Sequence, residues 1–437
     1  MTERTPLDRA YEFITEDDDR SCLAIPEEAC KEVPRNFFLN TGNGALTKLA
    51  EQLASPGLVL PWLLASIGAP TAIAGWLIPI KDSGSLLPQL VVSSRIRAFS
   101  VRKWFWVAAG ITQSAALAFM LPAVALLPPT GAGLAILVLL GIFSIASGVG
   151  SIAFKEVMAK TIPKGRRGRL LALRSTIGGI LTLGAGLLLR LFVKDDVDTG
   201  VYILLVGIAA ALWFGASLIF AIMIEPPGAT QGGRNAIAEA RHGLHLLRAS
   251  RGLRRFLYAR ALLLSIPLAL PFYALLARDL PGATISSLGI FIIANAFSQI
   301  VASPVWGRFA DASARLVMAA SGLLATLASF GAIAITLLPD EWQNAWTFSP
   351  LLFLLGVAYA GARLGRKTYI VDAAPETERP LYVAVANTSI GLLIFVAGLF
   401  GLLAEFAGLR ITIGALALCS LLGVIASLAM PEADNFE

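Results

Sequence analysis

Polar and charged residues recur on one side of the first apolar stretch of the chain. Asn40, Gly44, Thr47 and Glu51 follow helical spacing, and Lys48 lies beside them. Ionisable groups at membrane depth cost about 2.5–3.5 kcal/mol even on lenient scales, so such a stripe is expected to face a cavity. Lys48 and Glu51, three residues apart, are close enough to pair. We therefore predict a substrate-binding or coupling site here; the alternative is an entry helix, with the membrane segment beginning only at its end.

Lys81 and Asp82 fall near the middle of the second apolar stretch. Because neighbours in sequence do not face each other on a helix, we expect cross-helix pairs, Glu51 with Lys81 and Lys48 with Asp82. A carboxylate whose affinity for protons is set by burial and by a nearby lysine suits a proton-coupled site. Glu51 and Asp82 are therefore candidates for coupling; the alternative is that these ion pairs only hold the first half of the chain together.

The tenth apolar stretch carries Arg363 about nine residues from one end, roughly 13 Å deep at 1.5 Å per residue. Arg174 and Arg260 are less deep in their stretches, so their side chains can reach the interface. A buried cation without a nearby acid suits an anionic group of a substrate, and we predict this role for Arg363. The alternative is a pair with Asp372 or with a helix end.

Four amide side chains complete the set of cavity candidates: Gln113, Asn295, Gln299 and Asn387. Each could instead hydrogen-bond between helices, which is a common role of neutral polar residues in membranes.

The elements that must position these residues are long apolar segments. Of the 437 residues, 56% are hydrophobic and 15% are charged, against roughly 25% charged residues in soluble chains. Runs long enough to cross a hydrocarbon core of about 30 Å are expected at 36–66, 70–94, 103–127, 132–158, 170–192, 200–224, 255–277, 284–307, 315–338, 346–371, 379–404 and 408–430. The predicted fold class is an all-α polytopic membrane protein with six helices on each side of a polar linker.

Basic residues mark one side of the predicted membrane. They cluster at 95–103, at 160–169, in the linker and at 308–315, whereas the opposite turns are acidic or carry little charge. By the positive-inside rule, the linker and both termini are cytoplasmic, and an even number of crossings agrees with this. The net charge of +6 therefore indicates membrane orientation and not a nucleic-acid partner. We expect a monomeric, multi-pass protein of the plasma (inner) membrane.

The same pattern divides the chain into five parts. Residues 1–35 carry ten Asp/Glu against five Lys/Arg, which predicts a cytoplasmic acidic tail, either solvated or regulatory through contacts with the basic turns. Bundles of six helices are expected at 36–224 and 255–430. Residues 225–254 form a basic cytoplasmic linker with an amphipathic helix on the inner leaflet, and 431–437 form a short tail.

The two bundles share a short internal similarity. Residues 154–179 align without a gap on 366–391 when the chain is shifted by 212 positions, with six identities. Both copies contain the end of an apolar segment, a basic turn with one proline and the start of another apolar segment. A shift close to half the chain length indicates two similar halves.

Two six-helix halves joined by a basic cytoplasmic linker resemble the major facilitator superfamily of secondary transporters, over residues 36–430. The best local match is the turn with Gly307, Arg308, Asp311 and Arg315, which resembles that family's Gly-x-x-x-Asp signature. The resemblance implies that these residues latch one conformation through charge contacts. The corresponding turn at 95–103 keeps its basic residues but contains no acid, which argues against a latch in the first half.

The resemblance further implies a central cavity between the halves that opens alternately to either side. We expect a secondary transporter for a small organic, anionic solute, proton-coupled as a symporter, with the bilayer and protons as partners and no cofactor or metal. The alternatives are an efflux carrier for amphipathic compounds and a transport-inactive receptor or scaffold. An enzyme is not expected, because the spans contain no HExxH, GxSxG or paired acidic metal motif.

Overall fold

The chain is described by a computed structural model that covers residues 6–15, 25, 27–87, 92, 95–192, 199–228, 230, 245–281, 283–375 and 378–433. The described residues form helices and no strand, which confirms the all-α prediction. Much of the acidic tail, linker residues 231–244 and tail residues 434–437 lie outside the described residues. The amphipathic helix expected in the linker therefore stays a prediction.

The first half begins with α1 (Pro6–Thr15) and α2 (Glu27–Cys30) and continues with six spans. In order, the spans are α3 (Val33–Leu53) with α4 (Val59–Ser66), α5 (Thr71–Ala74) with α6 (Leu77–Leu86), α7 (Lys103–Leu126), α8 (Pro129–Thr161), α9 (Arg167–Phe192) and α10 (Thr199–Ala221).

The second half repeats this plan. Its spans, the seventh to the twelfth, are α11 (Arg251–Leu262) with α12 (Ser265–Arg278), α13 (Ile285–Ala312), α14 (Ala314–Ile335), α15 (Ala345–Ala373), α16 (Arg379–Val396) with α17 (Phe400–Ala407), and α18 (Leu409–Leu428). With twelve crossings, the first span begins and the twelfth ends on the same side of the membrane, which we call the terminal side; the other is the opposite side.

Ten of these spans are long and apolar enough, within the described chain, to cross a membrane. The first two are not, because α3 is polar and the second span is split into two short helices. The first span breaks at residues 54–58, where Pro56 lacks a backbone N–H and Gly57 adds conformational freedom. Broken helices are tolerated at membrane depth where the irregular backbone lines a cavity, as this break does.

The two halves pack by the same scheme. In the first half the third span packs against the fourth and sixth, and in the second half the ninth packs against the tenth and twelfth. The halves meet where the fifth span packs against the eighth, the second against the eleventh, and α4 against α12. The seam between the halves is therefore built from symmetry-related pairs of spans.

Glycine contacts follow the 212-residue shift detected in the sequence. A Cβ atom at Gly179 would lie 3.5 Å from Ile300 in the other half, and one at the equivalent Gly391 would lie 3.4 Å from Leu87. The last residue of each copy of the internal similarity thus occupies the same place on its side of the seam.

The N-terminal helix α1 docks on the terminal side of the first half. Tyr11 is buried and packs edge-on against Phe37, with ring centroids 5.2 Å apart, in a small cluster with Ile162 and Leu170. Arg169 donates a hydrogen bond to the carbonyl of Ile14 at 3.4 Å. This part of the tail is therefore folded against the basic turn between the fourth and fifth spans.

Candidate functional site

A cavity of about 230 Å³ lies at the seam between the two halves. Its wall comes from the first four spans of the first half and from the seventh, eighth and tenth spans of the second. The polar side chains that line it are those of Lys48, Glu51, Gln52, Ser55, Lys81, Asp82, Ser85, Ser144, Ser147, Asn295, Gln299, Tyr359 and Arg363. Seven of the nine residues predicted for substrate binding or coupling are thus brought together.

Lys48 and Glu51 reach this cavity from the end of α3. Lys48 lies within electrostatic range of Glu51, Lys81 and Arg363, and the side chain of Glu51 is exposed. In the part of the chain that the structure describes, neither of the two forms an ion pair, so the predicted pairing between them is not observed. Glu51 therefore stands as an accessible carboxylate among several cations.

The remainder of the polar stripe on α3 does not face the cavity, contrary to the prediction. Asn40 accepts a hydrogen bond from Arg174 of the fifth span, and a Cβ atom at Gly44 would collide with the same arginine. Asn43 donates to the carbonyl of Ala216 in the sixth span at 2.9 Å. These residues face neighbouring helices instead of the cavity because α3 packs against the fifth and sixth spans over this length.

Lys81 and Asp82 pair with each other, which corrects the predicted cross-helix pairs. Lys81 Nζ lies 3.5 Å from Asp82 Oδ1. The Cβ atoms of neighbouring residues diverge on a helix, but the long lysine side chain bends back far enough to reach the carboxylate. Glu51 remains within electrostatic range of Lys81. Ser144 of the fourth span donates a hydrogen bond to the carbonyl of Lys81 and fixes the second span beside the cavity.

Arg363 enters the cavity from the tenth span without an acidic partner among the described residues. Its guanidinium lies over the ring of Tyr359, with Cζ 5.8 Å from the ring centroid. The alternative pairing with Asp372 is not formed, because nine residues of helix separate the two by about 13 Å. The second half thus supplies a cation that is held against an aromatic face and left available to a ligand.

The amide candidates divide into two groups. Asn295 donates to Gln52 at 3.2 Å and so links the halves across the cavity, and Gln299 lines the cavity and donates to the carbonyl of Gly356 at 3.4 Å. Gln113 and Asn387 do not line it. Gln113 lies one turn before the cavity residue Leu117, and Asn387 accepts a hydrogen bond from Arg260 at 3.0 Å.

Arg260 also differs from its prediction. The side chain is 6% exposed and does not extend to the interface, because it points from the seventh span toward Asn387 of the eleventh. Arg174 likewise stays inside the first half, over the ring of Phe154. Both arginines are held by interhelical contacts that a single sequence does not reveal.

The predicted latch in the second half is partly described. Gly307 and Arg308 lie at the end of α13, Arg308 is exposed, and the side chain of Asp311 lies outside the described residues. Arg315 forms an ion pair with Glu432, beyond the twelfth span, with a distance of 2.5 Å. The observed contact therefore ties the start of the ninth span to the end of the chain.

The first half contains the matching contact, although its turn contains no acid. Arg97 and Arg102 both pair with Glu156 of the fourth span. The backbone N–H groups of Arg102 and Lys103 donate to Glu225, beyond the sixth span, at 2.8 and 2.6 Å. Glu156 and Glu225 were missed because acids were sought only within the turn. Glu225 and Glu432 each lie four residues after the last span of their half, a spacing that could have identified these two acids.

Six further polar residues of the cavity were also missed: Gln52, Ser55, Ser85, Ser144, Ser147 and Tyr359. Tyr359 precedes Arg363 by one helical turn, and Ser144 and Ser147 are three residues apart on the fourth span. Helical spacing from the charged candidates could have found the tyrosine. Serines are common enough in apolar helices that their spacing alone carries little information.

The opposite side of the seam is closed by glycines. A Cβ atom at Gly289 of the eighth span would lie 2.6 Å from the carbonyl oxygen of Gly186 in the fifth. A Cβ atom at Gly401 of the eleventh span would lie 2.3 Å from the carbonyl oxygen of Ala72 in the second. Backbones approach this closely only where side chains are absent. The chain therefore places small residues where the halves meet on that side.

This architecture defines a class of protein: a multi-pass α-helical membrane protein with a polar cavity between two similar halves. Among solved structures, a mutant of the nucleoside transporter NupG aligns with a TM-score of 0.71 at 13% identity, over 90% of this chain and 99% of that chain. The xylose transporter XylE from E. coli, in an inward-open conformation, aligns with a TM-score of 0.65 at 12% identity, over 91% and 96%. At these identities the likeness shows the fold.

Residues 268–435 match the family model described as Major Facilitator Superfamily. This match covers the second half, where the turn at Gly307 lies, and together with the shared fold it supports the resemblance to the major facilitator superfamily. The uncharacterized protein Rv2209 of Mycobacterium tuberculosis (strain ATCC 25618 / H37Rv) is 26% identical over 413 residues, which are 92% of this chain and 78% of that protein. The uncharacterized protein Mb2232 of Mycobacterium bovis matches over the same lengths. The family match and the shared fold support secondary transport of a small solute.

Proposed function

We propose that this protein transports a small anionic organic solute, coupled to protons, and binds it in the cavity at the seam. The observation that carries the proposal is the convergence of Lys48 and Arg363, from different halves, on one cavity. A ligand that contacts both halves can bind them differently in each conformation, which is what alternating access requires.

The charge balance of the cavity favours an anion. Lys81 and Asp82 neutralise each other through their ion pair. Of the remaining charged lining residues, Lys48 and Arg363 outnumber the single carboxylate of Glu51. A carboxylate or a similar group on the solute would complete this balance, and the guanidinium of Arg363 can bind it with two parallel hydrogen bonds.

Glu51 is the candidate for proton coupling. As a carboxylate it competes with an anionic solute for Lys48 and Arg363; once protonated, it leaves both cations to the solute. Binding of the solute and binding of a proton therefore favour each other, and this linkage is reciprocal. The accessible position of Glu51 in the cavity gives protons a route to it.

We further propose that the terminal side faces the cytoplasm, because the basic turns lie there. The contacts between the halves described above lie at mid-depth or toward the opposite side. In this conformation, solute would therefore enter or leave through the cytoplasmic side. The glycine contacts on the opposite side would separate when the halves rock about the cavity.

The test begins with purified protein and a set of organic anions, with neutral analogues as controls. We expect particular anions to stabilise the protein against thermal unfolding. This stabilisation should be lost in Arg363→Gln. It should be kept in the control Arg308→Gln, which removes an exposed arginine outside the cavity. Stabilisation by neutral analogues alone would contradict the anion assignment.

Uptake into proteoliposomes then tests the coupling. Under an imposed pH gradient, Glu51→Gln is expected to lose accumulation of the solute but to retain counterflow exchange. The matched control is Glu341→Gln, at an exposed position between the ninth and tenth spans. Unchanged accumulation in Glu51→Gln would remove Glu51 from the coupling role.

One observation favours a second candidate, an efflux carrier for amphipathic compounds. Part of the cavity wall is apolar and is formed by Ile78, Leu117, Leu140, Phe143 and Leu270. Such a wall accommodates an apolar portion of a ligand beside the charged groups. Amphipathic cations that stabilise wild type and Arg363→Gln equally would favour this candidate over the anion carrier.

A further inference from the structure

A second group of cations lies beside the central cavity, at a cleft between the seventh, ninth and tenth spans. Arg260 and Arg366 line a separate cleft of about 20 Å³, which adjoins the central cavity at Tyr359 and Arg363. Lys367 lies within electrostatic range of Arg260, Arg363 and Arg366. We call this cleft, together with the cations Arg260, Arg366 and the adjacent Lys367, the basic cleft. Unlike the central cavity, it has no acid among its described lining residues.

The charges of the basic cleft are uncompensated. In the described part of the chain, none of its three cations forms an ion pair, and the charges that act on Lys367 come from other cations, including Lys155 of the first half. Arg260 lies within electrostatic range of Arg366, which carries the same charge. Several cations in a partly buried space repel one another and lose hydration, which costs free energy unless an anion joins them.

Arg260 carries an unused donor in this place. The residue is 6% exposed, and its guanidinium donates to Asn387 at 3.0 Å, but its Nε–H has no hydrogen-bond partner among the described residues. Buried donors are nearly always satisfied, so an orphaned guanidinium N–H is unusual. An oxygen of a bound anion would supply the missing acceptor.

We propose that the basic cleft binds the phosphate group of a soluble ligand that arrives from the terminal side. Two guanidinium groups and one ammonium match an oxyanion with several acceptor oxygens and more than one negative charge. A phosphate monoester carries about −1.5 to −2 charges near pH 7, whereas a carboxylate carries one. Phosphate is therefore the better match to three cations without an acid.

The cleft is large enough for one functional group of a ligand, and its opening lets the remainder of the ligand stay outside. A cleft of about 20 Å³ has room for one small group. Lys367 is exposed, so the remainder of a ligand can extend into water on the terminal side. The site does not depend on the proposed transport function, because it requires neither Lys48 nor Glu51.

The experiment measures binding of radiolabelled inorganic phosphate to the full chain in phosphatidylcholine nanodiscs, at constant ionic strength. Saturable binding at one site per chain is expected. Arg366→Gln and Lys367→Gln are each expected to weaken it by about tenfold, since each removes a charged hydrogen-bond donor. Arg255→Gln, at an exposed position on the same helix as Arg260, is the matched control and should bind as wild type does.

Two further arms distinguish the basic cleft from the central cavity and from a lipid-headgroup site. Lys48→Gln, in the central cavity, should bind phosphate normally even if the proposed transport function is wrong. Discs that also contain phosphatidylglycerol should leave the affinity unchanged, whereas loss of phosphate binding there would assign the site to a lipid headgroup and contradict a soluble ligand. Absence of saturable binding, or equal affinity in wild type and Arg366→Gln, would overturn the proposal.

Discussion

Trp62 and Ala274, which lie 212 residues apart, are joined by a hydrogen bond across the seam. The indole Nε1 of Trp62 donates to the carbonyl of Ala274 at 2.7 Å. The separation equals the shift that aligns the two copies of the internal similarity. Equivalent positions of two related halves can touch only near the axis that relates them, so this contact marks that axis between the first and seventh spans.

Loss of this hydrogen bond should destabilise the fold. Trp62 is fully buried and packs against Phe291 of the other half, with ring centroids 6.1 Å apart. Trp62→Phe keeps an aromatic ring but removes the donor, and we expect a loss of about 1–2 kcal/mol in the free energy of unfolding. Chemical denaturation measures it. Trp346→Phe, at a position that is 66% exposed, is the control and should change little; equal effects would contradict a specific role for the hydrogen bond.

The glycine contact between the fifth and eighth spans should control closure of the opposite side. A Cβ atom at Gly186 would lie 2.8 Å from Ile293 and 3.0 Å from the carbonyl oxygen of Gly289, whereas one at Gly184 would meet no atom of the described residues within 4 Å. Gly186→Ala is therefore expected to separate the two spans, and Gly184→Ala to leave them in place. Spin labels at the opposite-side ends of these spans report the distance. An unchanged distance distribution in Gly186→Ala would refute this mechanism.

A double-mutant cycle should find coupling between Lys81 and Asp82. Lys81→Met and Asp82→Asn each leave one charge without its partner, and the double variant leaves none. Because the side chain of Lys81 is partly exposed, we expect a coupling of about 1 kcal/mol from thermal or chemical unfolding. The same cycle with Lys48→Gln and Asp82→Asn should give no coupling. Coupling between Lys48 and Asp82, with none between Lys81 and Asp82, would instead support the cross-helix pair.

The two acids that follow the sixth and twelfth spans should contribute unequally to stability. Glu225 is 9% exposed, forms an ion pair with Lys160 and accepts hydrogen bonds from two backbone N–H groups at the start of the third span. Glu432 is 45% exposed at its side chain, where it pairs with Arg315. Glu225→Gln is expected to cost about 3–5 kcal/mol and Glu432→Gln about 0–1 kcal/mol. Similar losses in chemical denaturation would show that burial does not set the difference.

The sequence predicted the spans and much of the cavity because both depend on local features. Long apolar runs set the number of helices, and charged residues within them are confined to the few places where a membrane protein can solvate or pair them. Lys48, Glu51 and Arg363 were found in this way. The match between Gly179 and Gly391 likewise predicted an equivalence that the contacts of the structure reproduce.

Tertiary contacts explain most of what the sequence missed. Asn40 and Asn387 look like cavity residues by depth, but each binds an arginine of a neighbouring helix. Glu156 and Glu225 were not recognised as partners of the basic turn because they lie on other elements. Which face of a helix meets a cavity depends on how that helix packs, and one sequence does not determine this packing.

The central claim is that the cavity opens to one side of the membrane at a time. A single cysteine at Ser147, a cavity residue of the fourth span, tests this claim after Cys22, Cys30 and Cys419 have been replaced. A membrane-impermeant maleimide is applied to either side of oriented vesicles. We predict labelling of Ser147→Cys from the terminal side, and a shift toward labelling from the opposite side when Gly289→Ala is added. Equal labelling rates from both sides in both backgrounds would contradict alternating access.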